Sequence, residues 1–214
     1  MKIAIDGPAA SGKGTLARTL AMALSFDYLD TGTLYRAVAR DGVAMGLSGA
    51  AIAAHKAQII RLAEELQLPV INDETLRSAE VATAASQIAS ITEVRAALID
   101  KQRDFATNPP SGKGAILDGR DIGTVILPDA DIKFFIDADI EVRAKRRFLE
   151  MSVKDENLTY AQVLADLSER DARDKNRTTA PLVSAKDAIY VDTTQKNAEE
   201  VLQLILQLVK DKLK

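Results

Sequence analysis

Apolar residues follow two rhythms along this chain. The short runs Ile3-Ala4-Ile5, Tyr28-Leu29, Ala115-Ile116-Leu117, Ile132-Lys133-Phe134-Phe135-Ile136 and Ala188-Ile189-Tyr190-Val191 are compact enough to be strands. Between them the apolar spacing lengthens to three and four residues and predicts helices over 51–67, 79–105, 140–151, 159–174 and 196–213. Thr159 with Gln162 forms a capping box for the helix 159–174, whose buried side is Tyr160, Val163, Leu164 and Leu167. In the last helix Val201, Leu202, Ile205 and Leu208 fall at core-facing spacing. Pro128-Asp129 and Pro181 stand where elements should end. Short apolar strands alternating with helices predict an α/β fold, a parallel sheet with helices on both faces.

Two intervals break the rhythm. The stretch from about 40 to 110 is mostly helical with a short Pro69-Val70-Ile71 run, and Ser152–Leu158 is polar. They predict an insertion and a flexible flap on one core, as in an enzyme that closes around a second substrate. With 214 residues the chain suits a single domain, its core formed by 1–39 and 111–214 and its flap by 152–158. There is no internal repeat.

Composition removes several classes of function. Lys and Arg number 28 against 31 Asp and Glu, a formal net charge of −3, which argues against wholesale coating of nucleic acid. Aromatics are sparse and Trp is absent, so base-stacking platforms for single strands are not expected. Zero Cys excludes disulfides and thiolate metal sites and fits a reducing compartment. The single histidine, His55 in Ala53-Ala54-His55-Lys56, reads as a solvated helix position, so neither a histidine metal cluster nor a Ser-His-Asp triad is expected. Met1-Lys2 leads directly into a strand, and no apolar stretch reaches membrane-spanning length. The expectation is a soluble cytoplasmic protein with no membrane or nucleic-acid partner, monomeric because no apolar stripe demands one.

The chemistry is concentrated in four clusters. Gly7-Pro8-Ala9-Ala10-Ser11-Gly12-Lys13-Gly14-Thr15 lies between the first strand and the helical run Leu16–Leu24. Strand, glycine-rich turn and helix N-terminus in that order converge backbone N–H groups and a helix dipole on an anion, and Lys13 adds a mobile charge. The pattern is G-x-x-x-x-G-K-[ST] with Gly14 in the hydroxyl position and Thr15 next, and it marks a P-loop nucleoside triphosphate site. An ordinary turn needs neither three glycines nor a lysine. The later Ser111-Gly112-Lys113-Gly114 precedes a strand instead of following one, and its glycines make an approach turn.

Asp118-Gly119-Arg120-Asp121-Ile122-Gly123-Thr124 emerges at the carboxyl edge of the sheet, where open α/β sheets bind ligands. Asp118 could hold Mg²⁺ through water, accept from a substrate amine, or merely cap a turn; Arg120 could fork onto a phosphate, or merely pair with Asp121. Asp30-Thr31-Gly32-Thr33-Leu34-Tyr35-Arg36 forms a second anion site; an N-cap accounts for Asp30 or Thr31 but not for Arg36. In Arg170-Asp171-Ala172-Arg173-Asp174-Lys175-Asn176-Arg177 charges recur three to four residues apart on one helix face, beside the flap. Such a comb suits phosphoryl transfer, in which charge spreads over the moving oxygens. In Arg143-Ala144-Lys145-Arg146-Arg147 the balance between surface and site is even.

Gly7–Thr15, Asp30–Arg36, Asp118–Thr124 and Arg170–Arg177 with Thr178-Thr179-Ala180-Pro181-Leu182 resemble, in order and over nearly the whole chain, the bacterial cytidylate kinase family. The resemblance implies a nucleoside monophosphate kinase fold: a five-stranded parallel sheet, a monophosphate-binding insertion and a lid. It implies transfer from ATP to CMP or dCMP, with Mg²⁺. It further implies that Gly7–Thr15 hold the ATP phosphates and that Arg36 and Arg120 hold the CMP phosphate. By the same resemblance Ser86, Arg95 and Asp121 read cytosine, Arg170 and Asp174 contact the ribose, and Arg173 and Arg177 the phosphates. Thr31 stands where the family often has Ser. Lys13, Arg120, Arg173 and Arg177 form the implied catalytic set, with Thr15 and Asp118 near the metal, largely through water.

A carboxylate suits the exocyclic amine of cytosine, Arg suits its acceptor atoms, and the carbonyl of uracil would be disfavoured there. One departure stands out: Leu68 to Ser78 is too short for the extra strand hairpin common in bacterial members. The rivals are a UMP or shikimate kinase on the same fold and a nucleotide-dependent switch, which would need one nucleotide site and no second arginine cluster. Lys13 is expected to be exposed to ligand.

Overall fold

The computed structural model describes residues 1–68, 74–153 and 155–213. The Pro69-Val70-Ile71 run and Lys154 of the expected flap lie outside them. In chain order the elements are β1 (Lys2–Asp6), α1 (Lys13–Leu24), β2 (Asp27–Asp30), α2 (Thr31–Ala44), α3 (Ala50–Ala54), α4 (Lys56–Glu65) and a 3₁₀ turn (Glu74–Arg77). There follow α5 (Ala79–Ile88), α6 (Thr92–Thr107), β3 (Ala115–Gly119), a π-helical turn (Ile122–Ile126) and β4 (Ile132–Asp137). The chain closes with α7 (Ile140–Met151), α8 (Tyr160–Asn176), β5 (Ile189–Asp192) and α9 (Ala198–Leu213).

The strands form one parallel five-stranded sheet in the order β2-β3-β1-β4-β5. Strand alternation decides what each face meets. Ile3, Ile5, Ile116, Phe134 and Ile136 face α1 and α9, where Leu16, Leu20, Val201, Ile205 and Val209 complete a core. Ala4, Ala115 and Leu117 point the other way, onto the π turn and the end of α6, with Ile122, Ile126 and Ala106. A separate core, built from Leu34, Val38, Ile59, Val81, Ile88, Val94 and Leu98, joins α2, α4, α5 and α6 beyond the sheet. From β1 the chain crosses through α1 to β2 toward one edge of the sheet, and from β3 it crosses to β4 toward the other, so the crevice at the strands' carboxyl ends opens between β1 and β3.

Two expected helices are each two. The 51–67 stretch breaks at His55, whose φ of −116° and ψ of 33° leave the helical region; its exposed ring Nδ1 lies 3.1 Å from the Ala51 carbonyl. The 79–105 stretch breaks at Ala89–Ile91, where the Ser90 hydroxyl donates to the Gln87 carbonyl at 2.6 Å and Ile91 turns extended. The capping box of α8 is present. Val163 and Leu167 are buried as expected, but Tyr160 is 37% exposed, its ring edge-on to Phe148. On α9 it is Val209, not Leu208, that completes the buried row, one residue further along the turn.

Ile205 on α9 is fully buried under the sheet while its neighbour Leu204 is 42% exposed. Ile205→Ala should lower the unfolding free energy by about 2–5 kcal/mol and Leu204→Ala by under about 1 kcal/mol. Urea melts compare them; equal losses would show that α9 does not seal this core.

Candidate active site

Every strand delivers an aspartate at its carboxyl end: Asp6, Asp30, Asp118, Asp137 and Asp192. Around these carboxylates the predicted site residues assemble. The loop Gly7–Thr15 leaves β1 and enters α1 through Gly12, whose φ of 88° sits in the left-handed region. At Gly7 a Cβ would lie 2.0 Å from the Ile136 carbonyl oxygen, so no side chain fits. The loop's carbonyls are tied outward. Pro8 accepts from Lys13 Nζ at 3.1 Å, Ala9 from Arg143 Nη1 at 3.2 Å and Ser11 from Thr193 Oγ1 at 3.3 Å. Carbonyls anchored in this way leave the amide ends of the same peptides to face an anion.

Lys13 is 8% exposed to solvent, its ammonium turned onto the Pro8 carbonyl of the loop. Burial, and next the nearby Arg120, pull its ammonium down to about 7. Asp118 is pushed up to about 6, first by burial and then by Asp30. The Tyr28 hydroxyl donates to Asp118 Oδ1 at 3.1 Å, and burial, followed by Asp118, raises that phenol above its ordinary value. Thr31, also buried, donates to the Asp118 carbonyl at 2.8 Å. Thr15 is exposed on the first turn of α1.

The arginines are held by carboxylates, each from a different part of the chain. Arg36 reaches Asp30 Oδ2 at 2.5 Å and the Thr33 hydroxyl at 2.8 Å, so Asp30 serves the arginine and its side chain does not cap α2. Burial pushes the Asp30 carboxyl up, but Arg36 and Thr33 outweigh it and hold it below its ordinary value. Arg120 Nε donates to Asp174 Oδ2 at 2.9 Å, not to Asp121. Asp121 instead accepts from Arg95 on one oxygen and from Arg177 Nη2 at 3.4 Å on the other. The Arg95 guanidinium also lies over the Tyr35 ring, 5.7 Å from its centroid. Arg170 and Arg173 stand half-buried on α8, each with a buried Nε that has no partner; burial and then Arg120 lower Arg170 below its ordinary value. Ser86 on α5 has a buried hydroxyl with no partner and is not bonded to Arg95 or Asp121. Unsatisfied buried donors of this kind are the places where a ligand repays desolvation.

Sequence reasoning missed Asp6, Tyr28, Asp171 and Thr193, and left Arg143 undecided. Arg143 is buried and ties three parts of the fold. It donates to Ala138 O at 2.9 Å, to Ala9 O of the loop, and to Asp171 Oδ2 of α8 at 2.6 Å. Asp6 accepts the Ile122 and Gly123 N–H groups at 2.8 and 2.7 Å, and burial pushes its carboxyl up to about 7. A signal was available: five apolar runs each followed by Asp.

Comparison with known proteins accounts for this constellation. The family model for cytidylate kinase matches residues 3–211. The chain belongs to the cytidylate kinase family. It is 51% identical over 210 residues to the cytidylate kinase of Paramagnetospirillum magneticum and 50% identical over 213 residues to that of Rhodospirillum rubrum. These alignments cover 98% and 99% of this chain and 98% of each relative. An uncharacterized protein from Eubacterium ventriosum shares the fold, with a TM-score of 0.54 at 14% identity and 98% of each chain covered. Family membership makes ATP the phosphate donor.

A lysine lowered to about 7 is largely neutral above that pH, and triphosphate oxygens favour its charged form. Binding ATP at about pH 8.5 should therefore take up about one proton per site, and Lys13→Met should abolish the uptake. Calorimetry in buffers of different ionisation heat measures it. Heats independent of buffer would mean that Lys13 is already charged in the free protein.

Proposed function

We propose that the chain transfers the γ-phosphoryl group of ATP to CMP or dCMP, giving ADP and CDP or dCDP. The observation that carries the substrate choice is the Arg95–Asp121–Arg177 cluster, together with the partnerless Ser86 hydroxyl of the helical insertion. An Asp oxygen can exchange an arginine N–H for the exocyclic amine of cytosine, while Arg95 and Ser86 offer donors to the ring acceptors. The uracil carbonyl would face the same carboxylate and be repelled.

In this reading the backbone amides of Gly7–Thr15 take the ATP phosphates and Lys13 follows the γ-phosphoryl. Arg36 and Arg120 orient the CMP phosphate, Arg170 and Asp174 take the ribose, and Arg173 and Arg177 meet charge on the equatorial oxygens. A phosphate oxygen of CMP attacks the γ-phosphorus as the bond to the β–γ bridging oxygen breaks, and ADP leaves with that electron pair. The attacking oxygen is already anionic, so no general base is required. Catalysis is then positioning and charge stabilisation. Residues 40–110 form the insertion over the monophosphate and 152–158 the lid.

The site chemistry also fits Mg²⁺. A Cβ at Gly14 would sit 3.4 Å from Asp118 Oδ2, so that carboxylate faces the loop, and Thr15, the next residue, is exposed. These are hard oxygen donors, suited to an ion that keeps waters and takes the rest of its shell from phosphates. When bound, the ion would neutralise phosphate charge.

ADP formation from Mg-ATP should be fast with CMP and dCMP and slow with UMP, AMP and shikimate. Preference for another acceptor would keep the kinase and overturn the roles of Ser86, Arg95 and Asp121. ATP binding without transfer to any acceptor would favour a switch. Asp121→Ala should lower kcat/KM for CMP by about 10²-fold while changing the ATP Kd less than about threefold. An equal loss in ATP affinity would move Asp121 to the donor site.

A further inference from the structure

Asp121 owes its direction to its backbone, and that backbone is held from two sides. Its carbonyl accepts from Val125 at 2.9 Å and Ile126 at 3.1 Å across the π turn. The next two amides, of Ile122 and Gly123, donate to separate oxygens of Asp6 at 2.8 and 2.7 Å. Asp6 is buried, and its own backbone is fixed in β1, paired in register with Gly119 of β3. Gly123 fits this seat closely: a Cβ there would lie 3.1 Å from the Lys133 stem and 3.4 Å from Asp6 Oδ2. The start of the π turn is thereby registered against the central strand rather than left as loop.

We propose that Asp6 is a positioning residue for base discrimination: through Ile122 and Gly123 it sets the angle at which Asp121 meets the acceptor base. Asp6 touches no substrate in this account. Its partners are amides, and two bonds to separate oxygens of one buried carboxyl fix two successive peptide planes as a side chain with a single acceptor oxygen could not. The strand that launches the phosphate loop thus also sets the base-reading carboxylate, which keeps donor and acceptor sites in one frame.

The proposal rests on the base-reading role of Asp121, so the test pairs the two residues. Asp6→Asn keeps one acceptor oxygen and turns an NH₂ group toward the second amide. The readout is the ratio of kcat/KM for CMP to that for UMP, which does not depend on the fraction of active protein. Asp6→Asn should lower this ratio about tenfold, through KM for CMP, with KM for ATP changed less than about twofold. Asp121→Ala should collapse the ratio further. A ratio unchanged in Asp6→Asn but collapsed in Asp121→Ala overturns the role of Asp6 alone. A ratio unchanged in Asp121→Ala overturns the base reading and, with it, the route assigned to Asp6. Equal rises in KM for both nucleotides would assign Asp6 to the phosphate loop and reject the proposal. If Asp6→Asn does not fold, Gly123→Ala carries the same test: the added Cβ presses on Lys133 and Asp6, and the ratio should fall in the same direction.

Discussion

Cations assembled to meet phosphate repel one another, and the whole site depends on how that repulsion is offset. Here the offset comes from carboxylates on separate segments: Asp30 at the end of β2, Asp121 after β3, and Asp171 and Asp174 on α8. Asp30 holds Arg36, Asp174 holds Arg120, Asp121 holds Arg95 and Arg177, and Asp171 holds Arg143. Buried pairs of this kind contribute little net stability, because desolvation consumes most of the attraction. What they supply is direction: each guanidinium has a defined position before an anion arrives. Lys13, buried and then crowded by Arg120 and Arg170, is the group for which the offset is incomplete, and its ammonium is correspondingly easy to deprotonate.

The cores explain how the array is carried. The face of the sheet packed on α1 and α9 fixes the strand ends, and therefore the aspartates. The core among α2, α4, α5 and α6 carries Tyr35 and Arg95 and seats Ser86 on α5. α2 belongs to both stories, since it starts at the end of β2 with Thr31 and Arg36 and continues into the helical core. Arg143 performs the same joining on the other side, between the loop carbonyl of Ala9 and α8.

Much of this was legible in the sequence. Gly7–Thr15 has a fixed spacing imposed by backbone geometry, and the strands follow from apolar runs, so both can be read locally. The partners of Arg120 and Arg177 cannot, because they are non-local: Arg120 and Asp174 lie 54 residues apart, and Arg177 and Asp121 56. The adjacent Asp121 was the obvious partner for Arg120 and the wrong one. The helix breaks at His55 and at Ala89–Ile91 carry neither Gly nor Pro, and alanine-rich flanks keep the helical pattern running through them. The aspartates that end the strands were visible, but Asp30 and Asp118 read singly as caps and Asp6, Asp137 and Asp192 carried no reading of their own. Their different partners emerge once the strands lie side by side: Arg36 on Asp30, the Ile122 and Gly123 amides on Asp6, and the Tyr28 hydroxyl on Asp118.

The central claim is that phosphate exchanges with aspartate for arginines already in place. A crystal structure with CMP and a non-hydrolysable ATP analogue tests it most directly. The account predicts the CMP phosphate on Arg36 and Arg120, Asp30 and Asp174 released from them, and strand ends displaced by less than about 1 Å. Ion pairs left intact, with the monophosphate bound elsewhere, would contradict it.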